Sequence, residues 1–326
     1  MKAIVVNQPG GADQLQVCER EKPEPKPGEL LIKVKAAAIN RTDIINREAK
    51  SGYLDLPILG IEVAGIVEVA NTDTKIPAGT RVMGLVNGGG YAEYAVMPAD
   101  RAMVIPDSLS YKQAAAIPEV FLTAYQTLFW LGELKENETA LIHAGGSGVG
   151  TAAIQLAKQL AGARVITTAG SQEKLDFCRS LGADVEINYK EQDFDEKVLE
   201  ATNGQGAAVI LDFIGASYYR KNLASLQVDG RWVLIGLLGG AQLENINLMD
   251  LMMKRVQLKA TLLTPRTDQY KAALTADFAG RALPLFEQNK LKPVIDTVFA
   301  MGDIQQAHQR MESNQNIGKI ILNMDE

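Results

Sequence analysis

Cysteine, histidine and long apolar runs are what this sequence has least of. Its 326 residues contain two cysteines, Cys18 and Cys178, and two histidines. So few cysteines exclude a disulfide framework and favour a reducing compartment. No apolar run approaches the ~20 residues that a helix needs to span a bilayer, and the apolar stretch at the N-terminus is too short for a signal core. We therefore expect a cytoplasmic protein with no membrane partner.

An excess of positive charge is also absent. The chain has 33 Lys and Arg against 39 Asp and Glu, which gives a formal net charge of -6. Proteins that bind nucleic acids usually present a basic face, so no nucleic-acid partner is expected. Hydrophobic residues make up 47% of the chain and charged residues 22%, as is typical of a globular protein. The length predicts two domains or one large one.

Potential metal ligands are few and scattered. A structural zinc site needs about four Cys or His ligands at close spacing, and the cysteines and histidines here lack that spacing. We expect both cysteines to be inert structural residues. His143 is expected to be a hydrogen-bonded turn residue after a buried strand, and His308 to lie on the surface of a charged C-terminal helix.

The first third of the chain reads as short strands separated by Gly- and Pro-rich turns. This pattern predicts a β-rich domain, with a partly closed barrel as one form it could take. The predicted strands are residues 3–6, 30–38, 62–69, 81–85 and 91–96.

From residue 111 onward the pattern changes to helices that alternate with strands. Such alternation predicts a parallel sheet built from right-handed crossovers. The predicted strands are residues 139–143, 164–169, 185–188, 208–213 and 231–237. The predicted helices are residues 151–161, 172–181, 195–202 and 218–226. A closing strand at 319–322 resembles the N-terminal pattern, so we expect the tail to return to the first domain.

A glycine turn is the most informative segment. It follows a strand and opens a helix, as a dinucleotide-binding fingerprint requires. Its residues are Gly145, Gly146, Ser147, Gly148, Val149 and Gly150. The first and last glycines allow a tight turn and close packing of helix on strand, and the helix N-terminus can bind a pyrophosphate. Ser147 replaces the middle glycine with only a small side chain. The alternative is an ordinary glycine-rich turn.

The next strand selects the cofactor. Sites for NAD usually place an Asp or Glu near the end of this strand, where it binds the ribose 2′-hydroxyl. Here Ala169 and Gly170 occupy that position, so no carboxylate repels a 2′-phosphate. Ser171 and Lys174 follow, and both suit NADPH. The alternative is that Lys174 is a solvated lysine on a helix surface.

These motifs together resemble the medium-chain dehydrogenase/reductase superfamily, in its zeta-crystallin-like NADPH:quinone oxidoreductase family. The similarity covers essentially the whole chain and is strongest to the subfamily that a tumour suppressor induces. Its markers besides the glycine turn are NRTD at 40–43, LGIEVAG at 59–65, GYAEY at 90–94, AAAIP at 114–118, LTA at 122–124, TAGS at 168–171, NYK at 188–190, DGRWV at 229–233 and NIGKI at 316–320.

The resemblance implies an α/β protein with a GroES-like β-rich catalytic domain (1–120) and a Rossmann domain with a doubly wound parallel sheet (121–264). Residues 265–326 return to the catalytic domain, with the active site in the cleft between the domains. It implies NADPH as cofactor and a homodimer or homotetramer. Members of the family associate by sheet extension, so residues 231–240 either continue toward a dimer edge or end at Gly236 and close over the nicotinamide. The methionines at 249, 252 and 253 are expected to line the core or the pocket.

The resemblance also implies the site residues. Lys174 and Tyr189 match contacts to the 2′-phosphate end of NADPH, with Gly170, Ser171 and Asn316 in the same region. The candidate catalytic residues are Thr123 near the nicotinamide, Asn40 and Asp43 at the floor of the cleft, and Tyr53 as a pocket tyrosine.

Zinc is not expected. Zinc-dependent relatives place a cysteine near the position of Asn40 and a histidine where Ile61 precedes Glu62, and neither residue here supplies that ligand. Without a Lewis acid the acceptor must itself tolerate negative charge, as a quinone does through aromatisation. The resemblance therefore implies zinc-independent reduction of a quinone or a similar conjugated carbonyl compound. Reduction of an alkenal or enone double bond is the enzymatic alternative, and a nucleotide-binding or structural protein is the non-enzymatic one.

Overall fold

The computed structural model describes residues 1–49, 58–71 and 74–325. The chain divides into two compact units. The first unit consists of Met1–Leu122 and Thr264–Glu326, and the second of Thr123–Leu263. The C-terminal segment thus belongs to the same unit as the N-terminal third.

The helices and strands alternate along the second unit, whereas the first unit is mainly β. The strands of the described residues are β1 (Lys2–Val6), β2 (Leu15–Glu19), β3 (Glu29–Ile39), β4 (Glu62–Ala70), β5 (Arg81–Leu85), β6 (Tyr94–Pro98), β7 (Ala102–Val104), β8 (Thr139–Ile142), β9 (Arg164–Ala169), β10 (Val185–Asn188), β11 (Ala207–Asp212), β12 (Leu226–Leu234), β13 (Gln257–Ala260), β14 (Ile295–Ala300) and β15 (Lys319–Asn323). The α-helices are α1 (Arg41–Glu48), α2 (Tyr111–Ala115), α3 (Pro118–Tyr125), α4 (Gly148–Ala161), α5 (Gln172–Ser180), α6 (Phe194–Ala201), α7 (Tyr219–Ser225), α8 (Leu248–Lys254), α9 (Asp268–Glu287) and α10 (Ile304–Glu312).

In the first unit, a mostly antiparallel sheet runs in the order β14-β15-β3-β4-β5-β7, and β6 also pairs with β3. The long strand β3 holds β6 along its first half and β15 along its second half, so its two ends have different neighbours on the same side. Apolar side chains of these strands form one core, which includes Ile32, Val63, Val82 and Ile320. This arrangement places the end of β3, the start of β4 and the start of β15 together.

The second unit contains a parallel sheet in the order β10-β9-β8-β11-β12-β13. In chain order this is 3-2-1-4-5-6, the strand order of the dinucleotide-binding fold. Five of its strands contribute side chains to one core, which includes Leu141, Ile166, Ile187, Ile210 and Trp232. The predicted α/β fold class, with a β-rich domain and a Rossmann domain, is confirmed.

Several local predictions need correction. The strand predicted at 91–96 begins only at Tyr94, since before it Ala92 forms just an isolated bridge with Ala3. The strand predicted at 231–237 ends at Leu234, and β13, which was not predicted, lies at the sheet edge instead. The prediction that the methionines of α8 line the core or a pocket is wrong. Met249, Met252 and Met253 are 56%, 68% and 69% exposed, because that face of α8 points away from this chain's own core.

Candidate active site

The glycine turn joins β8 to α4, and its first and last glycines have no room for a side chain. A Cβ atom on Gly145 would overlap the Thr167 hydroxyl and lie 2.9 Å from Cys178 Sγ. One on Gly150 would overlap the Ala144 carbonyl oxygen and lie 2.8 Å from Gly145 Cα. The turn therefore depends on glycine at both ends, as the fingerprint predicts.

The N-terminus of α4 is built to meet an anion. Ser147 is the N-cap residue, and its hydroxyl accepts the N–H of Gly150 at 3.0 Å. The serine at the middle position of the fingerprint thus serves as the helix cap. Helix α4 is 14 residues long, so its dipole and the N–H groups of its first turn are available to a pyrophosphate.

The end of β9 lies beside this turn and carries no carboxylate. Gly145 N–H donates to the Thr168 carbonyl at 2.9 Å, which places Ala169 and Gly170 next to the turn. Lys174 is half-buried, and a Cβ on Gly146 would lie 3.0 Å from Lys174 Cδ. The Lys174 side chain thus crosses the glycine turn and is not a fully solvated surface lysine.

Tyr189 lies on the other side of the same strand end. A Cβ on Gly170 would lie 2.7 Å from Tyr189 Oη, so the phenol packs against the Gly170 backbone. Ser171 is the N-cap of α5, and its hydroxyl accepts the Lys174 N–H at 3.4 Å. The structure therefore brings Gly170, Ser171, Lys174 and Tyr189 together around a position that suits a 2′-phosphate.

His143 comes just before the glycine turn, and Cys178 packs against Gly145. The buried His143 ring forms hydrogen bonds to Thr168 Oγ1 (2.9 Å) and Asn222 Oδ1 (2.7 Å), as expected of a turn histidine. Burial lowers the pKa of His143. Burial also raises the pKa of Cys178 to about 12, so its thiol is unreactive at neutral pH.

A second polar cluster lies in the first unit, where β3, β4 and β15 meet. Asn40 follows β3, Glu62 begins β4 and Lys319 begins β15; all three are buried. Lys319 Nζ donates to Asn40 Oδ1 at 2.6 Å and to Glu62 Oε1 at 2.7 Å. Asn40 Nδ2 in turn donates to Glu62 Oε1 at 2.8 Å. The roles of Glu62 and Lys319 were missed in the sequence, although a lysine that opens an apolar closing strand was a signal.

Asp43 stabilises the start of α1. Its carboxylate accepts from Asn40 N–H (2.8 Å), Tyr91 Oη (2.8 Å) and Gly60 N–H (3.2 Å), and the residue is fully buried. Burial raises the pKa of Asp43 to about 6, against the opposing effects of these hydrogen bonds and of Lys319. Asp43 is thus a helix-capping group that reaches from α1 to two neighbouring segments.

The raised pKa of Asp43 predicts a pH dependence of stability. Its folded-state pKa of about 6 lies above the ordinary 3.8, so between pH 4 and 6 the folded protein holds more protons than the unfolded chain. Asp43 therefore destabilises the fold progressively as the pH rises through that window. Thermal unfolding of wild type and Asp43→Asn at half-unit steps should show a flatter pH dependence in the variant. Parallel curves would contradict the assignment.

The prediction that His308 lies on the surface is wrong. His308 lies within α10 and is fully buried, and its Nδ1 lies 3.2 Å from Arg47 Nη1. Arg47 is also fully buried and forms ion pairs with Glu48 and Glu312. Burial and the neighbouring guanidinium lower the pKa of His308 to about 3. It is a neutral core residue because it lies on the buried face of α10, where its ring also makes an edge contact with Tyr91.

The remaining predicted site residues are distributed as follows. Thr123 is buried in α3, and its carbonyl accepts the Thr127 hydroxyl at 2.7 Å. Asn316 precedes β15 in the first unit, where its side-chain amide donates to the Gly318 carbonyl at 2.8 Å. Tyr53 lies outside the described residues. The roles assigned to these residues stay predictions.

Two absences concern metals and membranes. Within residues 1–49, 58–71 and 74–325, no group of three or more His, Cys, Asp or Glu side chains is arranged to hold a metal ion. No helix of that part of the chain combines the length and the apolar character that crossing a bilayer requires.

Comparison with known proteins agrees with this fold. Residues 26–107 match the alcohol dehydrogenase GroES-like domain, and residues 148–279 match the zinc-binding dehydrogenase family. Quinone oxidoreductase of Sus scrofa is 32% identical over 99% of this chain and 97% of its own length. The human synaptic vesicle membrane protein VAT-1 homolog-like is 30% identical over all of this chain and 81% of its own length. The crystal structure of Escherichia coli quinone oxidoreductase complexed with NADPH superposes with a TM-score of 0.89 at 30% identity, covering 99% of this chain and 100% of that one.

Proposed function

We propose, from the premise that the chain belongs to the quinone oxidoreductase family of the medium-chain dehydrogenases/reductases, that it is an NADPH-dependent quinone reductase. The observation that carries the proposal is the pairing of the glycine turn with Lys174. The turn suits a pyrophosphate, Lys174 crosses it, and the adjoining end of β9 has no carboxylate. This combination favours a phosphorylated dinucleotide over NADH.

When bound, NADPH supplies the hydride that reduces the acceptor. The residues of this chain hold and orient the reactants. The glycine turn, with Ser147 as its helix cap, presents the N-terminus of α4 to the pyrophosphate. Lys174 neutralises the 2′-phosphate. Asn40, Thr123 and Tyr53 are the proposed neighbours of the acceptor and the nicotinamide. Asp43 acts on Asn40 through its cap of α1, since its carboxylate accepts the Asn40 N–H together with the Tyr91 hydroxyl and the Gly60 N–H.

Zinc independence is part of the proposal. It is supported by Ile61, whose alkyl side chain stands before Glu62 and cannot bind a metal, and by Asn40, whose amide is engaged by Glu62 and Lys319. A quinone stabilises its own reduced form through aromatisation, so its reduction requires no Lewis acid. The placement in the tumour-suppressor-inducible subfamily and the cytoplasmic location likewise remain proposals.

The test is an NADPH- and NADH-oxidation assay with an ortho-quinone, a para-quinone and an alkenal, each with and without a chelator. We expect quinone turnover to be faster with NADPH than with NADH and unchanged by the chelator. Turnover of the alkenal alone would assign the enzyme to double-bond reduction. Sensitivity to the chelator would overturn zinc independence, and NADPH binding without turnover would favour a non-enzymatic role.

We further propose that the chain forms a homodimer through the β13 edge of the parallel sheet. Large apolar side chains of residues 237–262 are exposed in the single chain, and Leu258 in the edge strand itself is 52% exposed. Strand β13 pairs with β12 on one side, so its other side can add a strand from a second copy. Contiguous exposed apolar surface of this kind marks interaction sites.

The dimer proposal predicts that Leu258→Lys weakens association, because it places charge at the edge that must pair and become buried. Sedimentation velocity at micromolar concentration should show a 35.3 kDa monomer as the main species of the variant and a dimer for wild type. Val104→Lys, an equally exposed apolar residue in β7 of the other unit, is the matched control and should leave the dimer intact. Loss of the dimer in the control alone would contradict the assigned edge.

A further inference from the structure

We propose that the buried Glu62–Lys319 ion pair is a positioning device for turnover, which fixes the amide of Asn40 and the first turn of α3. The inference rests on the proposed function, since it concerns residues placed near the acceptor. It assigns to Glu62 and Lys319 a role in orienting other groups, with no contact of their own to the substrate.

The ammonium group of Lys319 is fully hydrogen-bonded. Its side chain is 3% exposed, and Nζ donates three hydrogen bonds: to the Ile39 carbonyl (2.9 Å), Asn40 Oδ1 (2.6 Å) and Glu62 Oε1 (2.7 Å). An ammonium has three protons to donate, so each is used. Lys319 is therefore held in one geometry and can hold its partners in return.

The Asn40 amide is held in one orientation. The two ends of a side-chain amide are nearly equal in shape, so only hydrogen bonding decides which way it points. Here the oxygen faces the Lys319 ammonium, and the nitrogen donates to Glu62 Oε1 at 2.8 Å. A flipped amide would place its nitrogen against the ammonium and its oxygen against the carboxylate. The ion pair thus makes one orientation of Asn40 strongly preferred.

The ion pair is also connected to α3. The second carboxylate oxygen of Glu62 accepts the backbone N–H of Glu119 at 2.8 Å, at the first turn of that helix. A carboxylate there satisfies an end-of-helix donor and interacts favourably with the helix dipole. Thr123, the proposed neighbour of the nicotinamide, lies one turn further along α3. One side chain, Glu62, therefore anchors the elements that carry Asn40 and Thr123.

The charges of Glu62 and Lys319 are explained by positioning rather than by stability. A buried ion pair is seldom needed for stability, because replacing both partners by neutral groups of similar size is often tolerated, while removing one partner leaves an unpaired charge. The strands that carry the pair also contribute apolar side chains to the core of the first unit, so a pair of neutral side chains of similar size is expected to be tolerated there. Asn40 Nδ2 and the Glu119 N–H donate to different carboxylate oxygens of Glu62, and a neutral glutamine, with a single acceptor oxygen, cannot reproduce both bonds.

The experiment compares Glu62→Gln, Lys319→Met and the double variant with wild type. Melting temperature, NADPH affinity from cofactor fluorescence, kcat and the quinone KM are measured for each. We expect the double variant to recover most of the melting temperature lost in Lys319→Met. Its kcat should nevertheless fall at least tenfold, with NADPH affinity and quinone KM changed less than threefold.

A double-mutant cycle identifies the residue through which the pair acts. Asn40→Ala should lower kcat in wild type but have little further effect in the double variant, because the amide is no longer oriented there. The matched control is Glu138→Gln/Arg231→Met, which removes a part-buried ion pair in the second unit and should leave kcat unchanged.

A stable double variant that turns over at the wild-type rate would overturn the proposal, as would additive effects of Asn40→Ala. Should the double variant fail to fold, Glu62→Gln carries the same comparison, since it keeps the shape of the side chain; an unchanged kcat in that variant would likewise overturn the proposal. Failure of the proposed function is separate, because wild type itself would then reduce none of the acceptors.

Discussion

Replacing Lys174 by alanine is expected to weaken NADPH binding by roughly 10- to 100-fold while changing NADH binding less than twofold. Lys174 crosses the glycine turn beside the end of β9, where the ribose 2′-position of a bound dinucleotide would lie. A charge-assisted hydrogen bond to a phosphate contributes about 1–3 kcal/mol, and about 1.4 kcal/mol corresponds to a factor of ten in affinity. NADH lacks the 2′-phosphate and so loses no such contact.

Fluorescence titration of both cofactors checks this expectation, at low and at high salt. The difference between NADPH and NADH should shrink as ionic strength rises, because the interaction is partly exposed and therefore screened. Lys197→Ala is the matched control: it removes a partly exposed lysine from α6, where it pairs with Glu200, and should affect neither cofactor. Equal losses of affinity for NADPH and NADH in Lys174→Ala would remove Lys174 from the 2′-phosphate site.

The cofactor half of the site could be predicted because its information is local. The glycine turn, the missing carboxylate at Ala169 and Gly170, and Lys174 all lie within 30 residues of one another. Their spacing on a strand, a turn and a helix fixes their arrangement once the alternation of strands and helices is recognised. Even the departure from the fingerprint at Ser147 has a local explanation, since its hydroxyl caps α4.

The polar cluster of the first unit could not be predicted in the same way. Lys319 lies 257 residues from Glu62, and only the pairing of β15 with β3 and of β3 with β4 brings the two together. The same reason hides the contact between His308 and Arg47, which are 261 residues apart. Lys319 and His308 are charged or titratable residues whose sequence neighbours suggest exposure. Burial of such groups is decided by their partners, and partners far along the chain leave no periodic signal.

The exposed methionines of α8 show the opposite error. Helical spacing of apolar residues indicates that one face of the helix is covered, but it does not say which molecule covers it. For α8 that face is open in the single chain, and the neighbouring edge strand β13 shares the exposed apolar surface. The spacing of the methionines predicted a helix with one apolar face, and the assignment of that face to the protein's own core or pocket was the error.

The second large effect is expected from Gly150→Ala, compared with Gly280→Ala. Both glycines lie inside helices, Gly150 in α4 and Gly280 in α9. A methyl group on Gly150 would overlap the Ala144 carbonyl oxygen, so the glycine turn and the N-terminus of α4 must move apart. A methyl group on Gly280 meets no atom within 4 Å.

The two substitutions should therefore have opposite effects on stability. Alanine in an open helical position stabilises by about 0.5–1 kcal/mol relative to glycine, so Gly280→Ala should raise the melting temperature and leave NADPH binding unchanged. Overpacking at Gly150 is expected to cost about 1–3 kcal/mol of stability.

The displaced turn in Gly150→Ala should also weaken NADPH and NADH equally, by roughly 10- to 100-fold, because both cofactors carry the same pyrophosphate and a lost charge-assisted hydrogen bond to it costs about 1.5–3 kcal/mol. This pattern separates the pyrophosphate site from the 2′-phosphate site, since Lys174→Ala discriminates between the cofactors and Gly150→Ala does not. Cofactor titration together with thermal unfolding of the two glycine variants measures both quantities. Wild-type binding of NADPH by Gly150→Ala would mean that the pyrophosphate does not bind at this turn.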